Sequence, residues 1–215
     1  MIVRTSTCLA AAALMAATSA CALMASSTGR ATPAQMIAAR SWRAIATDAD
    51  QRRIHGWREA WDEALSAARA DGHTAEIAAE GRLLEPDAAL TGPGLADGDY
   101  ACRTIKLGSQ IAGGLSYVTY PAFTCRIRHD HDKLTFTKLS GSQRPVGVIF
   151  PDGPRNLVFL GSLALGDERG AFDYGTDPQR DMIGIVERVD EHRWRLVIPH
   201  PQFESLLDVI ELVPR

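Results

Sequence analysis

The sequence predicts an α+β protein in which an N-terminal helical segment packs on an antiparallel β-barrel of about eight strands, with a two-sheet sandwich as the alternative closure. Three observations carry this expectation. Apolar residues recur at three- and four-residue steps as far as about Leu90, and a Gly/Pro-rich interruption follows at 91–98. Beyond Gly98 the period falls to two. The expected organisation is a leader at 1–25, a helical segment at 32–90, a linker at 91–98 and an antiparallel β domain at 99–215.

In the helical segment, Thr47-Asp48-Ala49-Asp50 has the form of a capping box, a threonine with an acid three residues on. Ile54, Trp57, Trp61, Ala64, Leu65 and Ala68 then form one apolar stripe that runs to Gly72, a natural C-cap. The stripe predicts a helix from about Asp48 to Asp71, with Trp57 and Trp61 packing it onto the rest of the protein. Shorter helices are expected over Ala34–Ala46 and Thr74–Gly81.

In the β half, strands are expected at Asp99–Leu107, Leu115–Arg128, Lys133–Leu139, Arg144–Phe150, Asn156–Leu165, Met182–Val189, Trp194–Pro199 and Leu207–Val213. Turn residues separate them at His129-Asp130-His131-Asp132, Pro151-Asp152-Gly153-Pro154 and Asp190-Glu191-His192. Alternation is legible within strands: Trp194, Leu196 and Ile198 oppose Arg193 and Arg195, and Leu134 and Phe136 oppose Thr135 and Thr137. Hairpin-length connections favour an up-and-down barrel, because closure removes exposed edges. About eight strands leave an interior that is filled with side chains or holds one small ligand.

The first twenty-five residues read as an export signal. Arg4 is the only charge before Arg30, the run Cys8–Ala17 is apolar, and small residues Thr18-Ser19-Ala20-Cys21-Ala22 follow. The run is shorter than the ~20 apolar residues of a membrane span. Two fates are open for Cys21: lipidation after cleavage before it, or removal by cleavage after Ala22 or Ala25. The expected location is the periplasm, free or lipid-anchored to the envelope, with membrane contact only through that anchor. Loss of the single charge Arg4 takes the formal charge from −3 to −4, and no basic tract suggests nucleic acid. Cys102 and Cys125 are the only cysteines outside the leader. In an oxidising compartment they form a candidate disulfide, stapling the first two strands; two buried thiols are the alternative.

Strong chemical motifs are absent. No G-x-S-x-G elbow surrounds Ser109, Ser116, Ser140, Ser142 or Ser162, and C-x-x-C, H-E-x-x-H, P-loop and EF-hand patterns are missing. No cofactor is expected. Two weaker features stand out. His129 and His131 share the parity needed to ligate a divalent ion, against the plainer reading of a solvated turn. Arg144, Arg180 and Tyr174 lie in polar loop-proximal segments where a guanidinium facing inward could grip a ligand carboxylate. The competing reading is that such arginines tie loops to the barrel mouth.

The runs Asp99–Gly108, Gly141-Ser142-Gln143-Arg144-Pro145-Val146-Gly147, Phe159-Leu160-Gly161 and Arg193-Trp194-Arg195-Leu196 resemble a family of uncharacterised exported bacterial proteins, domain of unknown function 4893. The resemblance spans about Trp42 to Pro214 and implies export, with no activity or site residues attached. By strand count the β half is also similar to calycins, that is, lipocalins and small bacterial inhibitor barrels; this concerns architecture alone. The reading that follows is a non-enzymatic binding or interaction module of the cell envelope, whose partner is a small molecule or another envelope protein. A hydrolase using Asp167, Glu168 or Asp181, or a barrel-type enzyme inhibitor, is the alternative.

Overall fold

The computed structural model describes residues 41–215 apart from Pro93. The leader, Cys21 and most of the helix expected over Ala34–Ala46 lie outside the described residues. Within them, a 3-10 turn at Trp42–Ala44 precedes α1 (Asp48–His55), α2 (Trp57–Ala70) and α3 (Thr74–Glu80), and a second 3-10 turn covers Gly81–Leu83. Nine strands follow: β1 (Gly98–Leu107), β2 (Tyr117–Thr119), β3 (Phe123–Asp130), β4 (Lys133–Lys138), β5 (Gln143–Pro151), β6 (Asn156–Leu165), β7 (Asp181–Asp190), β8 (Arg193–Pro199) and β9 (Leu207–Pro214).

The helix expected over Asp48–Asp71 is two helices. Thr47 caps α1 as the capping box predicts, its hydroxyl accepting from the Asp50 N–H at 3.2 Å. The first helix stops at Gly56, where the backbone turns and α2 starts afresh. The apolar stripe runs unbroken across this joint, because α1 and α2 dock on different parts of one barrel. Ile54 packs with Trp42 against Val158, Leu160, Ile183 and Ile185 on the outer face of β6 and β7. Trp61, Ala64, Leu65 and Ala68 pack instead on Ile105, Leu107, Val197, Leu207 and Val209 of β1, β8 and β9.

Each strand of the β half pairs antiparallel with its neighbour from β3 to β9, and β9 returns to β1 from Tyr100↔Pro214 to Leu107↔Leu207. Eight strands therefore close a barrel, and the sandwich alternative falls. The ninth strand comes from the segment expected as one strand at Leu115–Arg128. Its two pieces, β2 and β3, both pair with β1, at Leu107↔Tyr117 and Cys102↔Phe123, with a one-residue shift between them. Pro121 stands at the break, where a missing N–H interrupts the ladder.

Cys102 and Cys125 point into the barrel and are joined by a disulfide with Cα atoms 5.7 Å apart. Around them the lower half of the interior is solid. Tyr100 meets Trp194 edge-to-face, Phe136 meets Phe159 in the same way, and Leu95, from the stretch before β1, joins the same core. The Phe159 ring lies over Gly147 and Gly161, where any Cβ would come within 2.6 Å of it. The barrel's outer flank is pinned by Arg195, which is 0% exposed. Its guanidinium donates to Glu187 at 2.7–2.8 Å and to the carbonyls of Leu83, Glu85 and Pro86 at 2.7–3.0 Å, and lies 4.4 Å from the Trp61 ring.

Removing one partner of a buried, fully bonded charge pair costs about 3–5 kcal/mol, so Arg195→Ala lowers the unfolding free energy by that amount in urea titrations. Cys102→Ala with Cys125→Ala costs about 2–5 kcal/mol and lowers the calorimetric midpoint of the oxidised protein; a reductant lowers the wild type similarly and leaves the variant unmoved.

Candidate functional site at the barrel mouth

The two ends of the barrel differ in chemistry. Leu95 and the aromatic core close the lower end. At the other end, the loops 120–122, 139–142, 166–180 and 200–206 border an open-mouthed cavity of about 150 Å³. Its walls are built by strand alternation. The inward column of β1 that begins with Tyr100 and Cys102 ends in Thr104 and Lys106; that of β4, after Phe136, ends in Lys138; that of β9, before Ile210 and Leu212, starts with Asp208. Phe123, Leu163, Met182, Ile198 and Phe203 supply the apolar surface between them.

The two lysines face opposite electrostatic situations. Lys106 is 5% exposed, and its Nζ lies 3.1 Å from Asp208 and 3.2 Å from Glu204. Burial pulls its pKa down, but these two carboxylates outweigh burial and hold it above the usual lysine value. Glu204 reaches this position from a left-handed backbone conformation (φ 71°), which is uncommon for a residue with a side chain. Asp208 also accepts from the Ser205 hydroxyl. Lys138 is 6% exposed and has no carboxylate partner among the described residues. Its ammonium lies 4.6 Å from the centre of the Phe123 ring. Burial, reinforced by the Lys106 charge, lowers its pKa to about 8. Gly141 closes over it: a Cβ there would stand 3.5 Å from Nζ. Thr104 adds a buried hydroxyl that has no hydrogen-bond partner among the described residues. An unpaired cation and an unpaired hydroxyl thus share one half-apolar cavity.

The residues singled out from the sequence sit around this cavity or away from it. Arg180 borders it, yet its guanidinium is engaged by Glu168 at 2.9 Å and by the Leu163 carbonyl at 3.1 Å. Arg144 donates to the carbonyls of Gly141, Gly166 and Glu168 at 2.5–2.8 Å. Both arginines hold mouth loops in place. Tyr174 lies on the barrel's flank, where its hydroxyl accepts from the Thr47 N–H at 3.0 Å and donates to Asp50; burial and that carboxylate push it up to about 12. His129 and His131 are at the closed end, paired with Asp97 and Asp130 respectively. No cluster of three or more metal-ligating side chains occurs among the described residues. Of the carboxylates weighed as acid–base groups, Glu168 accepts from the Leu165 N–H and Asp181 from the Gly175 N–H, whereas Asp167 is exposed.

Lysine use carries a signal that composition conceals. Lys106, Lys133 and Lys138 are the only lysines of a chain that otherwise uses arginine as its cation, and Lys106 and Lys138 line the cavity. Counting in twos from Cys102 or Phe136 places each of them inward.

An unpaired buried cation lowers stability, and the sign is testable. Between pH 8 and about 10.4 an unfolded lysine holds a proton that the folded Lys138 has lost, so the wild type gains stability as pH rises through that window. The gain is up to about 2 kcal/mol by pH 9.5. Lys138→Met removes this dependence and is more stable than wild type at pH 7, measured by urea unfolding at both values.

A model of the domain of unknown function DUF4893 matches residues 42–212. No curated protein and no solved structure matches the chain. With its matched region running from the first 3-10 turn to the last barrel strand, the chain belongs to the DUF4893 family.

Proposed function

We propose that this protein is a binding module of the cell envelope that holds a small molecule with an anionic head group in the mouth of its barrel. The observation that carries the reading is Lys138, a buried ammonium at the wall of an open cavity that no carboxylate contacts among the described residues. A carboxylate seated against it supplies the missing partner, and charge-assisted hydrogen bonds of this kind are about twice as strong as neutral ones. Thr104 offers a second polar contact, and the surrounding phenylalanine and aliphatic side chains take the apolar body. Size limits that body. About 150 Å³ suits one aromatic ring or a short chain, well below the 300–1,000 Å³ of sites that enclose drug-sized molecules. Export is part of the proposal: the leader pattern supports it, and the Cys102–Cys125 bridge is consistent with an oxidising compartment.

Benzoate, a single ring with one carboxylate, is the direct probe. Calorimetric titration is expected to show binding to the wild type at neutral pH, weakened tenfold or more by Lys138→Met. Wild type that takes up no benzoate, or a variant that binds it equally well, overturns the reading. The intact mass of the protein recovered from its native envelope tests export separately: retention of the full leader sinks that part.

A further inference from the structure

We infer that Lys138 is a carbonyl-reactive amine, and that the barrel mouth captures small aldehydes or ketones as an imine on its Nζ. The inference rests on the proposed binding role of the same cavity and names a second class of ligand for it.

Three features of the geometry converge on this chemistry. A lysine becomes a nucleophile when it is desolvated or placed beside another cation. Lys138 meets both conditions, since it is buried against Phe123 and shares the cavity with Lys106. Second, nothing ties the amine down: Lys106 is held by Asp208 and Glu204, whereas Lys138 has no such partner among the described residues. Third, the cavity opens to solvent at the mouth loops, so a small carbonyl compound reaches the nitrogen along an apolar wall. The charged and titratable groups around this amine are Lys106, Asp208, Glu204, Arg144, Arg180 and Tyr120, with Arg53 of α1, whose guanidinium is held by Asp50 and the Asp181 carbonyl. Burial, Lys106 and Arg144 lower the pKa of the amine against the opposing pull of Asp208, so part of it is free base near pH 8.

The step balances without any redox partner. The lone pair of Nζ adds to the carbonyl carbon, forming a C–N bond, and the carbonyl oxygen takes a proton to become the hydroxyl of a carbinolamine. Nitrogen then loses its proton and the hydroxyl leaves as water, so amine and carbonyl become imine and water. The Lys106 ammonium lines the same cavity and is the nearby acid for the departing hydroxyl.

The test is reductive trapping on the full-length protein with benzaldehyde and cyanoborohydride, which supplies hydride to any imine and fixes it as a secondary amine. Peptide mass spectrometry then reads the three lysines, with exposed Lys133 as internal control. Selective modification of Lys138, at least tenfold over Lys133 at pH 8, is the expected result. Modification that favours Lys133, or treats both alike, overturns the inference. Lys138→Arg, which keeps the charge and forms no such imine, is expected to lose the trapping at this position. Wild type that binds benzoate but shows no trapping leaves the anion site standing and removes the carbonyl chemistry. Trapping without benzoate binding does the reverse.

Discussion

A barrel of this size has two faces to satisfy, and the outer one is settled by a guanidinium. Arg195 leaves the outer side of β8 and reaches into the loop after α3, where the carbonyls of Leu83, Glu85 and Pro86 converge on it and Glu187 neutralises it. Only arginine has enough donors in a rigid fork to serve all of these at once; a lysine would leave buried carbonyls unpaired. The stacked Trp61 ring links the same group to α2. With the helical layer held there, β1, β8 and β9 are covered outside by apolar side chains and inside by the barrel core. Their rigidity bears on the mouth, because Lys106 and Asp208 stand on β1 and β9.

Stability and chemistry are separated along the barrel axis. The lower half carries the disulfide, the edge-to-face aromatic pairs and the Phe159 ring seated on glycines, all of which favour one packed arrangement. The upper half tolerates two buried lysines, a buried aspartate and a left-handed Glu204, each a cost to folding. Such costs concentrate where a site is held ready for something else. The loops around the mouth are braced by Arg144 and by the Arg180–Glu168 pair, so the cavity is preformed before any ligand arrives.

Much of the β half was legible because strand period and turn residues are local. Asn156–Leu165 is found with the expected ends, and the opposition of Trp194, Leu196 and Ile198 to Arg195 is the one observed. The joint at Gly56 was not legible, since an apolar stripe looks the same whether a helix continues or restarts against another wall. Neither was the break at Pro121, where the chain shifts register by one residue against β1. Arg144 and Arg180 drew attention as charged residues near turns, and the structure ties both to the loops. Lys106 and Lys138 carry no motif, although their parity relative to Cys102 and Phe136 marks them as inward.

Sequence alone therefore determined the element types and most strand limits, which depend on residues close along the chain. Tertiary structure alone decided that the barrel closes between β1 and β9, that the helices cover one flank, and that charge collects at one end of the interior. The reason is physical. Alternation says which side of a strand a residue occupies, but the pairing of strands more than a hundred residues apart decides which side chains share a cavity. Lys106 with a carboxylate partner and Lys138 without one among the described residues differ through that pairing.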